Sequence, residues 1–180
     1  VLQPFKDEIH SLDWLTYNAR HIDLQLLNRI DRARWMEIAA EVKAALSDEV
    51  IDESLATVDE QALALDGAEI RRKLIGRRDM LLEAADAFYE KVNRDPEVLG
   101  SEKRDLIHLK YFDDGKVRVE VRRAKKGPES KPFFERTFHP DEADSVTIFA
   151  LGGKDELVVQ GEPHDDINIR FLGGAGDDVV

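Results

Sequence analysis

The chain has no cysteine, which excludes disulfide frameworks, thiolate zinc sites and cysteine nucleophiles. Its absence also suits an oxidising compartment, where a stray thiol is a liability. No apolar run approaches the roughly 20 residues a helix needs to cross a bilayer, so this stretch is not expected to span one. Basic residues are in deficit: 26 Lys and Arg stand against 38 Asp and Glu, a formal net charge of −12. Phosphate backbones would be repelled, which argues against sequence-independent binding to nucleic acid. No Gly-x-Ser-x-Gly elbow, P-loop or dinucleotide fingerprint occurs.

What is present suits one domain, or one domain with an appendage: 180 residues, 42% hydrophobic and 36% charged. That is apolar enough for a core and too charged for a membrane-embedded chain. The sequence starts at Val1 without an initiator methionine or a signal peptide, and stops at Val180 inside strand-like sequence. The expectation is a piece of a longer protein, in which case the missing signal sequence says nothing about location.

Charge and periodicity divide the chain into an α+β arrangement, a helical bundle over 1–102 followed by a β-region over 103–180. The first zone holds 13 basic and 22 acidic side chains. Asp31 reads as an N-cap before Trp35, Ile38, Ala39, Val42, Ala45 and Leu46, which recur at helical spacing. Ser47 ends that run and caps the next, with Val50, Ile51 and Leu55 as its stripe. Asp66-Gly67-Ala68-Glu69 has the reach-back spacing of a capping box. A break is expected near Gly76, and Pro96 closes the last helix. Trp35, Leu55, Leu74, Leu82 and Phe88 are the expected core.

Residues 103–138 switch sign, with 11 basic against 6 acidic side chains, and switch period. Asp105 to Phe112 and Lys116 to Ala124 alternate as strands around Asp113-Asp114-Gly115, a hairpin signal because glycine supplies positive φ. A polar loop over 125–130, including Pro128, leads to a third strand, Pro132 to Phe138. Residues 139–180 hold 10 acidic and 2 basic side chains and an internal repeat. Val146-x-Ile148-x-x-Leu151-Gly152-Gly153 recurs as Ile167-x-Ile169-x-x-Leu172-Gly173-Gly174, 21 residues on. This predicts equivalent Gly-Gly repeat strands in an antiparallel region or a coiling β-roll, with Leu151 and Leu172 on one buried face and the acids that follow in solvent.

Three motifs carry chemistry. Gly173-Gly174-Ala175-Gly176-Asp177-Asp178 matches the glycine-rich loop that holds calcium in parallel β-rolls, making Asp155, Asp177 and Asp178 candidate calcium ligands. The competing reading is glycine turns with solvated acids, and no cofactor. Asn18, Arg20, His21 and Asp23 form a dense polar cluster. Without metal-ligand spacing or a glycine loop nearby, it reads as Asn18 capping a short helix and Arg20 and Asp23 forming ion pairs. His139 ends a strand before a turn, and His10, His108 and His164 are scattered. Arg122-Arg123-Ala124-Lys125-Lys126 reads as a solvated hairpin end rather than a phosphate site.

The stretch Leu15 to Asp23 with Leu26-Leu27-Asn28-Arg29, the segments Leu46 to Asp52 and Arg77-Arg78-Asp79, and Arg136-Thr137-Phe138-His139-Pro140-Asp141-Glu142 before the Leu-Gly-Gly repeats resemble a region of large Gram-negative envelope proteins. That region precedes an outer-membrane β-barrel of the surface-antigen type. The resemblance implies a cell-envelope location, periplasmic or surface-exposed, and partners in the rest of a larger chain, its barrel and other envelope proteins. It supplies no catalytic residue. The expected function is a non-catalytic envelope module, structural or partner-binding. The alternatives are the tail of an upstream catalytic domain, with Asn18 to Asp23 facing its active site, and a calcium-binding β-roll fragment.

Overall fold

The computed structural model describes residues 5–9, 11–127 and 129–180, so His10 and Pro128 lie outside the described residues. Helices come first and strands follow, in an α+β order. The helices are α1 (Leu12–Thr16), α2 (Arg20–Leu26), α3 (Arg32–Ala45), α4 (Asp48–Leu55), α5 (Glu60–Asp79) and α6 (Leu81–Arg94). The strands are β1 (Glu97–Ser101), β2 (Asp105–Tyr111), β3 (Val117–Arg123), β4 (Phe134–Phe138), β5 (Ser145–Leu151), β6 (Glu156–Gln160) and β7 (Asn168–Leu172). The chain forms two compact units, residues 1–18 with 31–89 and residues 19–30 with 90–180.

In the first unit the caps fall where the side chains predict. Asp31 accepts from the Arg34 amide at 2.8 Å and Ser47 Oγ from the Val50 amide at 3.3 Å, each satisfying an N–H that the first helical turn leaves unpaired. The capping box at Asp66 does not open a helix. Asp59 caps α5 instead, and the helix runs through Gly67 and Gly76 to Asp79. Tertiary packing explains the bridged glycines: Gly67 is buried, and a Cβ at Gly76 would stand 2.9 Å from the Asp7 carbonyl. Trp35 donates its indole N–H to the Ala85 carbonyl at 2.8 Å and meets Phe88 and Tyr89 edge-on. Trp35, Leu55, Leu74, Leu82 and Phe88 are each only half-buried.

The second unit carries the larger core. Strands β2, β3 and β4 form the predicted antiparallel meander, with Gly115 at φ +82° in its turn. The remaining pairs are parallel: β1 with β5, β5 with β7, and β2 with β6. This corrects the expectation of an antiparallel region after residue 138. It also corrects the helical reading of 97–101, which is strand β1.

The register shows what the parallel pairs build. Glu97 lies beside Thr147 and Ser101 beside Leu151, and across the turn Leu106 lies beside Glu156. Every one of these partners is 50 residues apart. Ser145 lies beside Asn168, Gly152 beside Ala175 and Glu156 beside Val179, all 23 apart. A constant offset through strand, corner and strand defines three stacked rungs of a parallel coil. They are β1–corner–β2, β5–corner–β6 and β7–corner–Val179. The offset of 23, rather than 21, means that Gly173-Gly174 overlies Ala150-Leu151, and Ala175-Gly176 overlies Gly152-Gly153.

Inward side chains of the two sheets face one another. Val98, Val146, Ile148 and Ala150 meet Ile107, Leu109, Val117, Val119, Val121, Phe134, Phe138 and Leu157 in one buried cluster. Leu151 and Leu172 are not part of it, at 38% and 48% exposed, contrary to expectation. Leu151 turns out of the strand at the corner with φ +73°, matching the glycine that overlies it, Gly174, at φ +85°.

Candidate functional site

The corners of the three rungs bring aspartates into a ladder. Asp105, Asp155 and Asp178 each immediately precede a residue of the aligned set Leu106, Glu156 and Val179. A strand's first amide has no backbone partner in the ladder here, and a side chain from the next rung fills the gap. The Asp105 amide donates to Asp155 Oδ1 at 2.7 Å, and the Asp155 amide donates to Asp178 Oδ1 at 2.9 Å. One rung's carboxylate thus closes the rung before it.

Burial sets the electrostatics. The Asp105 side chain is fully buried, accepts from Ser101 Oγ at 2.8 Å and pairs with Arg123 at 3.2 Å. Burial nevertheless pushes its carboxyl above the ordinary range, against the pull of Ser101 and Arg123. Asp155 is 1% exposed, so it does not point to solvent as expected. Burial raises it as well, and the neighbouring charges of Asp105 and Asp178 act in the same direction, against the lowering hydrogen bond from the Asp105 amide. Asp155 Oδ2 is buried with no hydrogen-bond partner among the described residues.

Of the three predicted calcium ligands, the fold brings Asp155 and Asp178 together through the amide bond. Asp177 is exposed and pairs with Lys154 at 3.1 Å. Among the described residues no group of three or more His, Asp or Glu side chains stands where it could hold a metal ion. Glycine at the corner is a close-approach requirement: a Cβ at Gly153 would stand 2.8 Å from the Arg104 amide nitrogen of the rung before, and one at Gly176 would collide with the Gly153 carbonyl.

The polar cluster divides between the units. Asn18 is exposed at the end of the first, and the cap position of α2 is Ala19, with no side-chain cap, so Asn18 does not cap that helix. Arg20, His21 and Asp23 lie in the first turns of α2 in the second unit, with His21 exposed.

The two edges of the sheet β1-β5-β7 are treated differently. Beside β1, the Asn28 amide group donates to the Glu97 carbonyl at 2.6 Å and Gln25 donates to the Glu97 carboxylate at 2.8 Å. Asn28 is itself fully buried, and its backbone carbonyl accepts from the buried Arg136 at 2.5 Å. At the other edge β7 pairs with β5 alone. Its inward residues Ile169 and Phe171 are only partly buried, whereas Val146 and Ile148 beside them are fully buried. Leu172 and Val179 are exposed on the same rung, Val179 at 62%.

The outer face of the sheet β4-β3-β2-β6 holds a polar cleft of 370 Å³ lined by His108, Lys110, Phe112, Arg118, Glu120 and Gln160. Its charges are internally matched: Arg118 pairs with Glu120 and Glu135, and Arg122 with Glu120. Lys110 sits over the Phe112 ring at 5.1 Å.

Sequence reasoning found the glycine corners but missed Asp105 and the β7 edge. Asp105 stands four residues after Ser101 as Asp155 stands four after Leu151, a signal legible only once 97–101 is read as a strand. No helix among the described residues is long and apolar enough to cross a membrane. No family model, curated protein or solved structure matches the chain.

Proposed function

We propose that this chain is a non-catalytic module of a bacterial outer-membrane envelope protein, whose coil of parallel rungs joins further polypeptide at its third rung. The observation that carries this reading is the asymmetry of the coil's ends. Side chains from residues 25–28 hold the β1 edge, while β7 leaves Ile169 and Phe171 partly exposed. Repeat coils need a covering element at each end, because a bare rung leaves apolar and backbone groups in water. The envelope location rests on the resemblance to regions that precede surface-antigen barrels.

The calcium reading has less support, since Asp178 Oδ1 is engaged by the Asp155 amide and Asp177 by Lys154. The catalytic-tail reading also has less: Asn18 and the Arg20–Asp23 group belong to different compact units.

Photo-crosslinking in a Gram-negative envelope tests the proposal. A photoreactive residue at position 172 is expected to give adducts in the outer-membrane fraction, and one at exposed position 126 none. Absence of adducts from 172, or hydrolytic turnover lost on substituting His21 or Arg20, would contradict it.

A further inference from the structure

We infer that the third rung accepts one extended polypeptide strand, added parallel to β7, and selects it by a carboxylate or carboxamide aimed at the Asp178 amide. The inference rests on the reading that the open rung is a joint, and it names the chemistry of what enters.

The argument is continuity with an interface the chain already makes twice. Rung one meets rung two with a constant offset of 50, and rung two meets rung three with a constant offset of 23. At both steps the later rung supplies an aspartate to the amide of the earlier one. The third rung repeats the receiving half of that interface. In a parallel ladder alternate amides face alternate neighbours. The Asn168 amide donates to the Asp144 carbonyl and the Val179 amide to the Asp155 carbonyl, both toward the second rung. The amides of Ile169, Phe171 and Asp178 therefore face the open side.

The occupant's pattern follows. It needs apolar residues beside Ile169 and Phe171, to complete the cover that Val146 and Ile148 receive within the coil. It needs a corner residue that tolerates positive φ, the conformation of Leu151 and Gly174, and a glycine two positions on, as at Gly153 and Gly176. Two positions further it needs Asp or Asn. A second copy fits poorly. Its β1 edge is covered by its own Asn28 and Gln25, and its β7 could meet this β7 only antiparallel about a two-fold axis, leaving no carboxylate at the Asp178 amide.

A synthetic peptide with the chain's own second-rung sequence, residues 145–160, is the probe, with the full chain as receptor. Residue-resolved hydrogen exchange should show Ile169, Phe171 and Asp178 slowing when peptide is added. Replacing the peptide residue equivalent to Asp155 by Ala should weaken binding at least about tenfold, because a charge-assisted hydrogen bond is lost, and Asn should stay within about threefold of Asp. If the Ala peptide binds as well as the parent, the selection rule fails while the joint stands. If no peptide slows these amides, the inference fails; the crosslinking result then decides separately whether the rung is a joint. Slow exchange at Ile169 and Phe171 in the peptide-free protein, with a dimer in sedimentation, would overturn the proposal in favour of a second copy.

Discussion

At the scale of single residues, Asp155 does two jobs that substitution can separate. Its Oδ1 closes the Asp105 amide, and its charge sits buried among two other carboxylates. Asp155→Ala removes the acceptor and leaves a buried amide unpaired, a loss of about 1–3 kcal/mol. Asp155→Asn keeps the acceptor and removes the charge, so chemical denaturation near neutral pH should find Asn far less damaging than Ala. Equal losses would show that the amide bond contributes nothing. Leu151 gives a second contrast. With φ +73° it occupies a conformation that costs a non-glycine residue roughly 1–2 kcal/mol. Leu151→Gly should be close to neutral, and Leu151→Val clearly destabilising, because β-branching resists that φ. Neither the left-handed leucine nor the burial of Asp155 was legible in the sequence. Leucine is an apolar residue at a strand's end and aspartate a polar residue after glycine, so each composition rule points the wrong way, and only the stacking of corners reverses both.

Single elements were easier to read where a local signal is self-sufficient. The caps at Asp31 and Ser47 and the turn at Gly115 each need only a few neighbouring residues to form, and each stands where expected. The capping box at Asp66 had the right spacing but lies inside α5, where the Asp59 cap starts the helix earlier. The two glycines of α5 separate propensity from packing. At Gly67 a Cβ would meet only the tip of the Leu63 side chain, at 3.1 Å, so Gly67→Ala should gain about 0.5 kcal/mol of helix stability. At Gly76 the Cβ would press on Asp7 backbone, so Gly76→Ala should destabilise despite the same propensity gain. Thermal unfolding of the two variants checks this; a shift of the same sign in both would break the argument. Strand β1 escaped the sequence reading because five residues after a proline carry too little alternation to be seen. Its identity comes from β5, 50 residues away.

For the whole molecule, acid should act on the two units in opposite directions. Hydrogen bonds from Arg78 and Arg71 hold the Asp48 and Asp52 carboxyls, respectively, below their usual value. That stability is present above the unfolded value and is lost as pH falls through the lowered one, and because these groups are exposed it is modest and salt-sensitive. Asp105 and Asp155 are raised, so their contribution is fully present below the unfolded value and is lost as pH rises through the raised folded value. Between about pH 7 and about pH 4.5 the opening free energy at β6 should rise, and below about pH 4 that at the α4–α5 pair should fall. Hydrogen exchange corrected for intrinsic rate measures both, and a fall at β6 on mild acidification would contradict the account.

The central claim is that β7 is a rung paired on one side and open on the other. Amide exchange resolved residue by residue in the uncomplexed monomer tests it most directly. The account predicts alternation along one strand: Asn168 and Arg170 slow, Ile169 and Phe171 fast, and at the corner Val179 slow with Asp178 fast. Uniformly fast exchange across 168–172 would mean that the third rung does not pair with β5, and uniformly slow exchange would mean that its outer edge is already closed.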